Sequence, residues 1–214
     1  MALVTIPLLG RARKSAGEMT FTKWKSLNVL KNKASNVANP NTVNQQMRRS
    51  MFSALVEVGR MFLPVFDLGF IAYRQQISQF NAFIRYNYGG LVQAGTAPAF
   101  NFDLDLMVTS KGPLTPTAIS GVSTSNGSLT VVVTWNPSTT APDQAASDYV
   151  RIIVLDKDNE ATGTEIGTIT RGIGTASITI SAAVTTGDDI NAYLFFSRSD
   201  NSMASDSSFR QITV

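Results

Sequence analysis

The sequence contains neither cysteine nor histidine in its 214 residues. Their absence removes disulfide bonds, thiolate nucleophiles, the common zinc ligand sets and the imidazole that most often serves as a catalytic base. No Gly-x-Ser-x-Gly turn presents a nucleophilic serine either. We therefore expect a protein that is not an enzyme and that uses no metal ion and no cofactor.

Charge and long apolar runs are also scarce. Charged residues make up 15% of the chain, whereas an average globular chain has roughly 25%. No apolar run reaches the roughly 18 residues that a membrane span needs, so we predict that the chain has no membrane span. The apolar start at Met1–Leu9 is followed, not preceded, by the first basic residues, which is unlike a secretory signal. We therefore expect a protein that is made without an export signal.

The charges that are present are unevenly distributed. Residues 1–100 carry 12 basic and 3 acidic side chains, a net charge of +9, whereas residues 101–214 carry 6 basic and 12 acidic side chains, a net charge of −6. This asymmetry indicates that the two halves meet different partners, or that the basic half of one copy contacts the acidic half of another.

Residues 1–40 are predicted to form a basic arm and a β-hairpin. The first 18 residues show no hydrophobic period, whereas residues 19–33 are rich in β-forming side chains that alternate in places. The alternation favours a hairpin that turns near Ser26.

Residues 41–98 show helical spacing. Pro64 is expected to end or kink the first helix, and Gly89-Gly90 to end the last one. We predict two or three helices whose apolar stripes pack together. The stripe residues are Val43, Met47, Met51, Leu55, Val58 and Phe62, followed by Ile77, Phe80, Ile84 and Tyr88.

Residues 99–214 change to a period of two. Leu104 and Leu106 alternate with Asp103 and Asp105, and turn-forming clusters then separate six apolar runs. The pattern predicts a Greek-key β-sandwich with Trp135 between its sheets and Tyr193 as a core aromatic residue. The six runs are Ser128–Trp135, Tyr149–Asp156, Glu165–Arg171, Ala176–Ser181, Asp189–Ser197 and Ser207–Val214.

Three segments in this half, Leu129–Trp135, Tyr149–Leu155 and Ala192–Asn201, resemble a fibronectin type III domain or a related Ig-like domain. The resemblance implies a fold and not a function. The expected fold class is α+β, with an N-terminal arm and a helical hairpin followed by an all-β Ig-like sandwich.

A second resemblance covers nearly the whole chain. The stretch Asn39–Phe52 reads Asn-Pro-x-Thr-x-x-Gln-x-x-x-Arg-x-x-Phe, and the motifs Phe80–Phe83 and Ser110–Leu114 follow it. In these motifs the chain resembles an uncharacterised family, a domain of unknown function found mainly in Bacteroidetes genomes and their phages. Residues 11–14 depart from that family, because Arg-Ala-Arg-Lys stands where more glycine is usual. The resemblance implies a basic hairpin, a helical pair and an Ig-like C-terminus, and it implies no activity.

Two sets of side chains could form a site. Acidic residues could hold a cation, but they lack the glycine and the terminal glutamate of an EF-hand loop, so we favour solvated turns over a calcium site. These residues are Asp103, Asp105, Asp156, Asp158 and Glu160. The stronger candidates are basic residues with a tryptophan among them, namely Arg11, Arg13, Lys14, Lys23, Trp24, Lys25, Lys31, Lys33, Arg48 and Arg49.

The basic set is compatible with three roles. It can dock on an acidic surface of a neighbouring copy, bind phosphates and stack on bases, or simply be solvated. We favour docking and predict a structural protein of a large homo-oligomer, a phage virion component in a capsid, ring or tail. Its partners would be copies of itself and other virion proteins. The alternatives are a nucleic-acid-binding protein, which would be cytoplasmic, and a secreted adhesion module.

Overall fold

The chain forms two compact units, Met1–Thr42 and Val43–Val214, in a computed structural model. The residues that the structure describes are 2–3, 14–24, 27–33, 41–75, 77–89, 92–93, 101–156, 161–167 and 169–214.

The N-terminal unit contains one antiparallel sheet with the strand order β1-β4-β3-β2. Trp24 in β3 lies opposite Leu27 in β4, so these two strands pair as the predicted hairpin does, while Ser26 lies outside the described residues. Part of the predicted arm lies in this sheet, because β1 pairs with β4 and β2 pairs with β3. Strands of two or three residues are too short to give a hydrophobic period. The strands are β1 (Ala2–Leu3), β2 (Lys14–Ala16), β3 (Met19–Trp24) and β4 (Leu27–Asn32).

The second unit begins with the predicted helices. Pro64 lies in the first turn of α2, where its missing amide proton costs nothing, and α1 ends just before it. The hydroxyl of Ser78 accepts a 3.2 Å hydrogen bond from the amide of Asn81 and caps α3. The helices are α1 (Val43–Met61), α2 (Leu63–Gly69) and α3 (Gln79–Asn87), with a short 3-10 helix at Ile71–Tyr73.

Phenylalanine rings fill the space between these helices. Phe66 stacks on Phe83 with ring centroids 4.0 Å apart, and both side chains are fully buried. Met51 and Leu55 of the predicted stripe are buried as expected, but Val43 is 52% exposed. Met47 is half-buried, so burial of the stripe on α1 increases along the helix from Val43 to Leu55.

Two antiparallel sheets follow, so the α+β class is confirmed. One has the order β10-β9-β12-β13 and the other β11-β8-β7, while β5 and β6 pair as a separate ribbon. The strands are β5 (Val92–Gln93), β6 (Asn101–Phe102), β7 (Ile119–Ser123), β8 (Thr130–Trp135), β9 (Tyr149–Asp156), β10 (Ala161–Glu165), β11 (Thr175–Thr179), β12 (Asp189–Ser197) and β13 (Ser208–Thr213).

The two sheets share one hydrophobic core. Trp135 is only 3% exposed, as predicted, and its ring meets Phe196 edge to face at 6.3 Å. Its indole N–H donates a 2.8 Å hydrogen bond to the carbonyl of Arg171. Val133 from one sheet and Ile152 from the other belong to the same core.

A second core lies on the other face of the four-stranded sheet. Ile153, Tyr193 and Phe195 pack there with Phe66 and Phe83 of the helices. The buried Tyr193 thus confirms a predicted core aromatic, on the helix side of its sheet. The predicted segments 41–98 and 99–214 consequently share a core within one compact unit.

Two local predictions were wrong. The strand expected at Glu165–Arg171 is instead β10, which pairs with β9 so that Ala161 faces Asp156. Asp103 and Asp105 do not alternate along a strand, because Leu104–Leu106 forms a short 3-10 helix.

Candidate functional site

A surface groove of about 490 Å³ lies along α1. Positions 48, 52 and 56 are four residues apart and form one row on the helix, and positions 49 and 53 form the next row. Tyr88, directly after α3, completes the lining. The groove is lined by Arg48, Arg49, Phe52, Ser53, Val56 and Tyr88.

The groove exists because α1 has apolar side chains beyond its buried face. The helix buries Met51, Leu55 and Gly59, which leaves Phe52 and Val56 on the flank of that face. Phe52 is 49% exposed, and its ring centroid lies 6.4 Å from that of Tyr88 at an interplanar angle of 62°. A half-exposed phenylalanine in a groove is surface that a partner can bury.

The end of the groove nearer the start of α1 is cationic. Arg48 and Arg49 are exposed and lie in the second turn of a helix whose first turn has no acidic residue. Guanidinium groups bind carboxylates and phosphates through paired hydrogen bonds, so this end of the groove fits an anion.

The other basic candidates belong to the N-terminal unit. Lys31 is the second-last residue of β4, and Lys33 directly follows that strand. Both side chains are exposed. Lys14 lies in β2, whereas Lys23 and Trp24 lie in β3. Arg11, Arg13 and Lys25 lie outside the described residues.

The acidic candidates are dispersed. Asp103 and Asp105 flank Leu104 at a 3-10 helix, and Asp156 is buried at the end of β9. Asp158 and Glu160 lie outside the described residues. Within the described part of the chain, no three acidic side chains are arranged to hold a metal ion. No helix there is long and apolar enough to cross a bilayer.

Sequence reasoning found the arginines of the groove and missed its apolar lining. Phe52 and Val56 were not placed on any predicted face, and Tyr88 was assigned to the buried stripe of α3. The available signal was the four-residue spacing from Arg48 to Phe52 to Val56, which gives a second row beside the core-facing stripe.

Residues 11–210 match a family of unknown function, DUF6266. No curated protein matches the chain.

Proposed function

The chain belongs to this family of unknown function, and we propose that it is a non-catalytic structural subunit of a large homo-oligomer, a component of a phage virion. The groove on α1 is the observation that carries this proposal. It presents apolar surface beside two arginines, and residues 101–214 of a neighbouring copy have a net charge of −6. A contact between copies would bury the apolar surface and bring opposite charges together.

We also infer that the strands β7 to β13 form an Ig-like sandwich. The order β7-β8-β11 against β10-β9-β12-β13 supports this inference, because it corresponds to sheets A-B-E and C′-C-F-G of a Greek-key sandwich. The shared core around Trp135 supports it further. A rigid module of this kind suits a subunit that is packed among others.

Nucleic-acid binding is the second candidate function. It is favoured by the position of Arg48 and Arg49 beside the half-exposed ring of Phe52. Cations bind backbone phosphates and an aromatic face stacks on a base. The basic N-terminal unit would add phosphate contacts.

Light scattering after size-exclusion chromatography of the full chain tests the proposal. We expect a mass that is a multiple of 23.1 kDa and that rises with protein concentration. A monomer at every concentration and salt condition would contradict the homo-oligomer. A monomer that also binds a fluorescent DNA or RNA oligonucleotide in a salt-sensitive manner would instead support the second candidate.

A further inference from the structure

The chemistry of the groove defines the surface that would fill it. The apolar part is formed by Phe52, Val56 and Tyr88, and the cations are Arg48 and Arg49 at one end. The complementary surface is an exposed apolar side chain next to a carboxylate. In a homo-oligomer, the chain's own surface can supply it.

Asp105 and Leu106 form such a surface, which we call the 105–106 corner. Leu106 is 53% exposed, and Asp105 before it is exposed as well. The corner is held in place, because the carbonyl of Leu104 accepts hydrogen bonds from the amide of Met107 at 2.9 Å and from the hydroxyl of Tyr193 at 2.7 Å. An ordered corner loses little conformational entropy when it docks.

Other exposed apolar side chains in the second unit fit the groove less well. Six of them have no acidic neighbour in the sequence, namely Val43, Met61, Leu63, Leu129, Ile173 and Met203. Ile166 follows Glu165, but that carboxylate already accepts a 2.5 Å hydrogen bond from a backbone amide. Of these seven side chains, Ile166 alone has a carboxylate beside it in the sequence, and that carboxylate is already engaged by a backbone amide.

Met19 is a rival among the described side chains of the N-terminal unit. Met19 is 48% exposed and follows the exposed Glu18. However, Glu18 is the single acidic residue among seven basic ones in residues 1–42, which gives that segment a net charge of +6. Its approach to Arg48 and Arg49 would be opposed by like charge.

We propose, on the basis of the homo-oligomer proposed above, that the groove of one copy receives the 105–106 corner of the next copy. Leu106 packs against Phe52 and Val56, and the carboxylate of Asp105 pairs with the arginines. Groove and corner are different patches, so the contact is head to tail. Repetition of such a contact gives a ring or a filament.

The composition of the groove favours this occupant over nucleic acid. Nucleic-acid affinity grows with the number of phosphates that cations neutralise. The groove has two cations, and Phe52, Val56 and Tyr88 make most of the remaining lining apolar. An apolar side chain with one adjacent carboxylate matches that composition better than a phosphate backbone does.

Two variants with complementary defects test the contact. The chain with Arg48→Glu and Arg49→Glu has a charge-reversed groove and an intact corner. The chain with Asp105→Asn and Leu106→Ser has an intact groove and a corner that is neither apolar nor charged. Each variant alone should self-associate at least roughly tenfold more weakly than the wild type. An equal mixture should form a dimer with one copy of each variant and nothing larger, because one intact groove then meets one intact corner.

Two control variants and one spectrum complete the experiment. Ile173→Ser removes an apolar side chain that is 57% exposed, close to the exposure of Leu106, and should leave the oligomer intact. Glu18→Lys tests the rival surface beside Met19 and should also leave it intact. Circular dichroism melting should show that every variant is folded, since all the substituted side chains are exposed.

The outcomes separate this inference from the proposed function. If the wild type is oligomeric and both variants assemble as it does, the groove–corner contact is wrong and the homo-oligomer stands. If the wild type is monomeric, both fail. If Arg48→Glu with Arg49→Glu loses binding to an oligonucleotide while self-association is unchanged, the groove serves nucleic acid and the contact is again wrong.

Discussion

Arg171 and Asp148 form an ion pair that is completely buried. The Nε atom of Arg171 lies 3.4 Å from a carboxylate oxygen of Asp148, and the two side chains are 0% and 1% exposed. The guanidinium lies over the ring of Phe196, 3.7 Å from its centroid, and burial lowers the pKa of Arg171. The backbone amide of Arg171 also donates a 2.8 Å hydrogen bond to the carbonyl of Asp148. These charges hold two loops together, and their burial keeps them from any ligand.

Tyr193 should make the stability of the protein sensitive to alkaline pH. Burial raises the pKa of its hydroxyl, and the carboxylates of Asp105 and Asp103 raise it further. The unfolded chain releases this proton near pH 10, whereas the folded protein retains it. The stabilisation is therefore complete below pH 10 and is lost as the pH rises above it. Urea unfolding at pH 8 and pH 11 should show a lower free energy of unfolding at pH 11.

The control for this prediction is Tyr193→Phe. That variant loses the hydrogen bond to Leu104 and should be about 1 kcal/mol less stable at pH 8. It should lose less stability than the wild type between the two pH values, because its buried ring has no proton to release. An equal loss in both proteins would show that another group causes the alkaline effect, such as Tyr73, whose pKa is raised by its hydrogen bond to Tyr86.

At the level of elements, the segment before β7 packs closely against the segment between β12 and β13. A Cβ atom on Gly112 would overlap the carbonyl oxygen of Ala204 and lie 2.8 Å from its carbonyl carbon. Both atoms are backbone and cannot rotate away. The amide of Gly112 also donates a 3.1 Å hydrogen bond to Asp206. Gly112→Ala should therefore lower the free energy of unfolding by about 1–3 kcal/mol, measured by urea titration.

Gly89→Ala is the matched control, because a Cβ atom there would meet nothing within 4 Å. Its effect should stay within about 0.5 kcal/mol. If both substitutions have the same effect, the close approach at Gly112 is not what limits that position.

The elements whose apolar residues recur regularly were predictable from the sequence, and the short or weakly apolar elements were not. The bounds Tyr149–Asp156 and Asp189–Ser197 agree with β9 and β12, whose long apolar runs reflect burial on both faces. The sequence of β10, Ala-Thr-Gly-Thr-Glu, has no large apolar residue. It is a strand because it pairs with β9, and strand pairing without large apolar side chains leaves no hydrophobic pattern in the sequence.

The candidate site was only partly predictable for a related reason. Charge patterning identified Arg48 and Arg49, since clustered cations are visible in the sequence. Helical spacing identified the core-facing stripe of α1, but it does not tell whether a neighbouring row of apolar residues stays at the surface. Phe52 and Val56 lie on the flank because α2 and α3 cover the face of Leu55 and Gly59, and that packing is tertiary.

At the scale of the whole molecule, charge follows the division into units. Met1–Thr42 has a net charge of +6 and Val43–Val214 has a net charge of −3. Deleting residues 1–18 would weaken assembly under the proposed function, but it would also remove β1 and β2 from the sheet. Substitution of exposed lysines tests whether the charge of this unit contributes to assembly, and it leaves β1 and β2 in the sheet.

Lys31→Gln with Lys33→Gln should weaken self-association roughly two- to thirtyfold, since each exposed ion pair contributes about 0.2–1 kcal/mol. Both side chains are exposed, so the fold should be retained, and added salt should reduce the difference from the wild type. Sedimentation velocity at low and high salt measures both effects.

The matched control, Arg74→Gln with Arg85→Gln, removes two exposed charges from the second unit. If the control weakens self-association as much as the lysine variant does, assembly depends on the net charge of the protein and not on the basic N-terminal unit. If neither variant changes assembly but the lysine variant loses salt-sensitive binding to DNA or RNA, the basic unit is a nucleic-acid surface.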